Sequence, residues 1–184
     1  MNIQLSDHFN YKKLFLFTLP SVVMMVFTSV YCVVDGFFVS NFAGKTAFAA
    51  INLIMPFIMI LGGIGFMIGT GGSALVSYTL GTGDKEKANR YFSMLVYFTI
   101  LAGILLTVLG IIFVRPIAEL FGADESMMDT CVLYGRIVIA FNAAFMLQNI
   151  FQSFFVVAEK PRLGLIVTIA AGVTNMVLDA LFVG

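Results

Sequence analysis

No charged residue occurs between Lys45 and Asp84, and that gap decides most of what this chain can become. Four further charge-free runs accompany it, at 14–34, 91–114, 137–158 and 163–178. A hydrocarbon layer of about 30 Å demands roughly 20 apolar residues in a helix, and nearly every run meets that length; the last does so by continuing through Asp179. A water-soluble domain is excluded by the same bookkeeping. Of 184 residues 60% are hydrophobic and 11% are charged, with a mean hydropathy of +1.03, against about 25% charged in an ordinary soluble domain.

The runs predict five membrane-spanning helices, at about 14–39, 47–80, 91–114, 127–158 and 163–184. The second is too long for one bilayer crossing at about 1.5 Å per residue, and Pro56 inside it predicts a bend or a partly extramembrane turn. Lys12, Lys13, Lys85, Lys87, Arg90, Lys160 and Arg162 fall on one side of this arrangement, and Lys45 and Arg115 on the other. The positive-inside rule then puts the N-terminus in the cytoplasm. The first run is too long for a signal-peptide core and is expected to remain as an anchor. With no hydrophilic tail after Gly184, the chain reads as cut off.

Several features carry weak signals. Net charge is zero with no basic tract, so nothing recommends a nucleic-acid partner. Cys32 and Cys131 lack metal-ligand or CxxC spacing and read as small apolar packers. Gly69 to Ala74 matches GxGxxA, but a dinucleotide fingerprint needs a strand before it, and here it sits inside an apolar run. Gly65, Gly69, Ser73, Ser77 and Gly81 recur every fourth position, which lets helices approach closely. The 20 Phe and 11 Met are expected to face lipid or fill gaps. His8 reads as a solvated terminal residue, Glu119, Asp124, Glu125 and Asp129 as a solvated loop, and Arg136 as a snorkelling residue at the start of the fourth helix.

Polar groups at depth are the functional signal. A carboxylate near the centre of a spanning helix costs about 2.5–3.5 kcal/mol even on the lenient insertion scale, and marks an ion or proton path by default. Tyr31 and Asp35 stand four apart on the first helix, and Asn175 and Asp179 four apart on the fifth, so each pair shares a helical face. Asn149 on the fourth lies at a similar depth. The competing reading makes Asn and Tyr interhelical glue, worth about 0.6 kcal/mol each, and Asp35 a helix end near the outer headgroups. If the two carboxylates share a cavity, burial and mutual repulsion favour loading of a proton. Sodium is the other solution, with Asp35, Asn175 and Asp179 as oxygen ligands.

The stretches VDGFFVSNFAG (34–44), GTGGSALVSYTLGTGDKEKANRYF (69–92), FQSFFVVAEKPRLG (151–164) and TNMVLDALFVG (174–184) resemble the N-terminal lobe of the multidrug and toxic compound extrusion (MATE) transporters of bacteria. The resemblance implies an all-α polytopic bundle, five transmembrane helices of a six-helix lobe, with the sixth helix and the C-terminal lobe absent. It implies cation-site roles for Asp35, Tyr31, Asn149, Asn175 and Asp179. It also implies a transporter rather than an enzyme: a multi-pass protein of the bacterial inner membrane that exports organic cations or amphipathic drugs against H⁺ or Na⁺, with no cofactor beyond that ion. Its partners would be the drug, the bilayer and a missing C-terminal lobe or second half. A non-transporting membrane module and a lipid-linked flippase are the alternatives.

Overall fold

A computed structural model describes residues 10–182, all of whose regular structure is helical; His8 and Gly184 lie outside the described residues. The elements are α1 (Tyr11–Phe38), a π-helical turn (Val39–Ala43), α2 (Lys45–Gly81), α3 (Lys85–Leu120), α4 (Glu125–Ala140), α5 (Asn142–Val157) and α6 (Pro161–Phe182). Four of these spans are long and apolar enough to cross a membrane, or five if α4 and α5, bent by 50°, form one. Helices are the expected answer, because hydrocarbon offers backbone groups no partner outside their own segment.

Helix ends follow local chemistry. Asn10 caps α1 by accepting from the Lys13 N–H at 2.8 Å, and Asp84 caps α3 through Lys87 at 3.0 Å. At the far end of α3 the Ala123 N–H reaches the Ala118 carbonyl and the Gly122 N–H that of Glu119. This is a Schellman closure, and Gly122 takes the left-handed φ of 91° that it requires. The acidic residues therefore do not form the loop expected from sequence. Glu119 lies inside α3 and pairs with Arg115 at 3.5 Å, Asp124 caps α4, and Glu125 and Asp129 belong to its first turns. Arg136 is likewise relocated, exposed in the body of α4 rather than at its start.

Asp124 accepts from the Ser126 hydroxyl at 2.7 Å and the Met127 N–H at 3.0 Å. These bonds, the hydroxyl first, hold its carboxyl below the usual range. A depressed acid stabilises the fold above its unfolded pKa of about 3.9 and loses that contribution as pH falls through the folded value. Amide exchange at Met127 and Met128 should therefore accelerate on strong acidification. Asp124→Ala should show the fast exchange at every pH, whereas Asp124→Asn should keep the cap and lose the pH dependence. Unchanged exchange in Asp124→Ala would refute the cap.

The chain divides into two compact units. One holds α1, the π turn, the end of α5 from Phe154, and α6. The other holds α2, α3, α4 and α5 as far as Ser153.

The second unit is built on glycine. A Cβ at Gly65 would stand 2.6 Å from the Met146 Cα, and one at Gly69 would stand 3.1 Å from the Ile150 Cα. Gly62 meets the Phe145 ring, and Gly72 would place a Cβ 2.7 Å from Leu95 Cδ1. The packed stripe of α2 is thus 62, 65, 69 and 72. The every-fourth pattern expected from sequence drifts about 40° per step, and Gly81 at its end has nothing within 4 Å. Around this seam Ile54, Leu61, Val114, Cys131 and Ile139 form the buried core, with the Cys131 thiol donating to the Ala50 carbonyl at 3.4 Å. Cys32, read from sequence as a packer, is instead exposed.

α2 runs through Pro56 as one helix, so no turn interrupts the chain there. The interruption falls at Phe141, between α4 and α5.

Candidate functional site

The first unit pairs α1 with α6 in parallel. Leu16, Leu19, Pro20 and Val23 share a groove with Arg162, Leu165 and Ile166. Further along, a Cβ at Gly172 would stand 2.5 Å from Phe27 Cε1 and 3.0 Å from Tyr31 Cδ1. Beyond that level Asp35 and Asp179 are close enough for their charges to act on each other. Both chains of contacts advance in the same direction, so the register is continuous along the pair.

Local sequence explains why each helix holds its polar face there. α6 starts at Pro161, the position where a missing N–H is harmless. Before it, the Lys160 N–H bonds the Phe155 carbonyl at 2.8 Å and the Glu159 N–H the Val156 carbonyl at 3.0 Å. That closure puts Glu159 at φ 58°, a conformation costing a side-chain-bearing residue on the order of 1–2 kcal/mol. On α1, the backbone changes pitch one turn after Asp35. The Val39 N–H reaches the Asp35 and Gly36 carbonyls, and the π turn follows until Gly44 ends it at φ 88°. Asn41 Nδ2 donates to the Phe37 carbonyl at 2.8 Å within this turn.

Tyr31, Asp35, Asn175 and Asp179 are all half-buried. Asn175 Oδ1 and Asp179 Oδ2 are shielded from solvent, and neither has a hydrogen-bond partner. Two acceptors on one face of α6, one turn apart, therefore point into the packed region with nothing donating to them. On the facing helix Tyr31 contributes a phenol, its ring tilted 57° to that of Phe27 at 6.2 Å. Such a set suits a small cation or a proton, since it offers carboxylate and amide oxygens and no thiolate or imidazole. Among the described residues no group of three or more His, Cys, Asp or Glu could hold a metal ion, so an ion here would rest on two carboxylates and neutral oxygens.

Asn149, also expected from sequence, lies in the other unit on α5, where its Nδ2 donates to the Phe145 carbonyl at 3.0 Å. Sequence reading missed Gly172, whose missing side chain admits the Phe27 and Tyr31 rings. The signal was the small-residue run Ala170, Ala171 and Gly172. It also missed the π turn, for which no sequence signal exists.

With this arrangement in view, the MatE family model matches residues 20–181. The chain belongs to the MatE family. Like other members of that family, this MatE chain is a multi-pass membrane protein of apolar helices. It is similar to the multidrug export protein MepA of Staphylococcus saprophyticus, 23% identical over 173 residues that cover 94% of this chain and 38% of the relative. Its fold matches the crystal structure of MATE in the straight conformation with a TM-score of 0.86 and 21% identity, covering 93% of this chain and 38% of that one. A MOP superfamily transporter from Pyrococcus furiosus, described as having a binding pocket of reverse polarity, matches with the same TM-score and coverage. The MatE chain thus spans well under half the length of the relatives it matches.

Proposed function

We propose that this chain forms the N-terminal lobe of a cation-coupled exporter of organic cations or amphipathic drugs, in which Asp35 and Asp179 exchange H⁺ or Na⁺. The observation that supports this reading is the pair of buried, unpartnered oxygens on α6, Asn175 Oδ1 and Asp179 Oδ2, with Asp35 within electrostatic reach. An empty site of this kind leaves like charges and orphan acceptors together in a low-dielectric region; a bound proton or sodium relieves both. The ion then favours the conformation in which the two helices close on it, and the drug favours the other, which is all that antiport requires. Tyr31 is proposed to support the site by its hydroxyl.

The name of the MepA relative supports drug export as the activity. A second lobe is proposed as the partner, since the family resemblance implies paired lobes. The clustering of Lys12, Lys13, Lys85, Lys87, Arg90, Lys160 and Arg162 supports a cytoplasmic N-terminus, and the bacterial source of the MepA relative supports placement in a bacterial inner membrane.

The test is reconstitution in liposomes of this chain alone and of a protein in which a MATE C-terminal lobe completes it. A fluorescent organic cation would be loaded under an imposed proton or sodium gradient. Gradient-driven flux from the completed protein supports the reading and identifies the ion. Equal flux with and without both gradients defeats it, and a completed protein that inserts but moves nothing favours a non-transporting module.

A further inference from the structure

Two polar atoms in the second unit have no use in the cation site. Asn142, at the start of α5, is 3% exposed, and its Oδ1 has no hydrogen-bond partner; Thr107 Oγ1 on α3 is buried and unpartnered as well. The Asn142 Nδ2 reaches Met146 Sδ at 3.5 Å, a weak acceptor, so turning the amide over would exchange one poor partnership for another. Thr107 also departs from its neighbours. Thr99 and Thr79 return their hydroxyls to the carbonyls of Leu95 and Leu75, at 2.8 and 2.9 Å, the usual way a membrane helix satisfies a threonine.

Glycine contacts fix how α3 lies across the bent α4 and α5. A Cβ at Gly103 would stand 2.8 Å from the Ala143 Cα, and one at Gly110 would stand 2.8 Å from Ile139 Cγ2. α3 therefore runs antiparallel to the pair, and Thr107 falls between those contacts, level with the break. Positions 103, 107 and 110 share one face of α3, and 139, 142, 143 and 146 share one face of the pair, so the two orphans belong to facing stripes. The break lies at the same level. The Phe141 N–H turns to the Val138 carbonyl at 3.1 Å, and the Phe145 N–H takes up the ladder again at the Phe141 carbonyl. The regular i to i−4 series is thus interrupted where two side-chain oxygens already lack donors.

We propose that one internal water molecule sits where α3 crosses this break, held by Thr107 Oγ1 and Asn142 Oδ1. A water suits the site because it can donate to both oxygens at once, and because polar, enclosed pockets hold ordered water where apolar ones stay dry. Bulk solvent cannot serve instead within a lipid-embedded segment. The site is distinct from the carboxylates of α1 and α6, and it gives the 50° bend between α4 and α5 a reason to persist: the bend presents polar groups that the water satisfies.

The test is water-edited solid-state NMR of the 184-residue chain in lipid nanodiscs, reading magnetisation transfer from water to the Asn142 side-chain amide. Transfer is expected in the wild type. Thr107→Val should reduce it to background, Thr107→Ser, which keeps the hydroxyl, should retain it, and Thr99→Val, which removes a hydroxyl already satisfied, should leave it intact. Native amide spectra in each variant separate loss of water from loss of fold. Absence of transfer in the wild type overturns the proposal, as does transfer that survives Thr107→Val or disappears equally in Thr107→Ser or Thr99→Val.

Discussion

Gly65→Ala is expected to destabilise the chain by about 2–3 kcal/mol, the upper part of the range for inserting a methyl group into a well-packed interior. The added carbon would stand 2.6 Å from the Met146 Cα, a separation that real contacts do not show. Rotating a side chain cannot relieve it, because the obstacle is backbone. α2 and α5 would have to move apart, and the contacts of Gly62 and Gly69 on the same seam would loosen with them. Gly71→Ala is the matched control, since nothing lies within 4 Å of a Cβ there. On helix propensity alone it should be neutral or stabilising by roughly 0.5–1 kcal/mol. Thermal or denaturant unfolding in detergent should place Gly65→Ala below the wild type and Gly71→Ala level with it or above it. Equal stabilities would mean that the helices are not seated on this stripe.

Asp35→Asn and Asp179→Asn, placed in a protein completed by a second lobe, are expected to abolish gradient-driven efflux while leaving insertion and abundance unchanged. Asparagine keeps the shape and one oxygen of the side chain, and it removes the charge that a proton or sodium must neutralise. A site with equal affinity for its ion in both conformations shifts no population, however tightly it binds. The loss should therefore be at least about tenfold in each variant, not a graded weakening of drug affinity. Downhill counterflow of drug, which needs no coupling ion, is the discriminating readout and should fall far less than gradient-driven efflux. Wild-type efflux from both variants would remove Asp35 and Asp179 from the mechanism.

The chain's character as a membrane bundle of helices was legible in its charge-free runs, but the helix ends were not: the run 91–114 lies well inside an α3 that extends from Lys85 to Leu120, because polar and charged residues continue a helix beyond its apolar stretch. Asp124 and Glu125 look like a polar loop by composition, yet they are the cap and first turn of α4. A cap is a local motif, and the signal was Asp124 followed by Ser126 within hydrogen-bond reach. The small-residue signal on α2 was legible in part: Gly65 and Gly69 seat the helix on α5, while a step of four drifts about 40° each time and leaves Gly81 with nothing near it.

What the sequence by itself determined is where the helices are and which carries each carboxylate. Lipid forces every backbone group to find its partner within its own segment, so a span is a local property. Only the tertiary structure decided that α1 lies parallel to α6, so that Asp35 comes within electrostatic reach of Asp179 beyond the Phe27, Tyr31 and Gly172 contact, and that a break falls at Phe141. Those outcomes depend on close fit between surfaces far apart in the chain. Between helices in lipid there is no hydrophobic drive to announce that fit in the composition of either one.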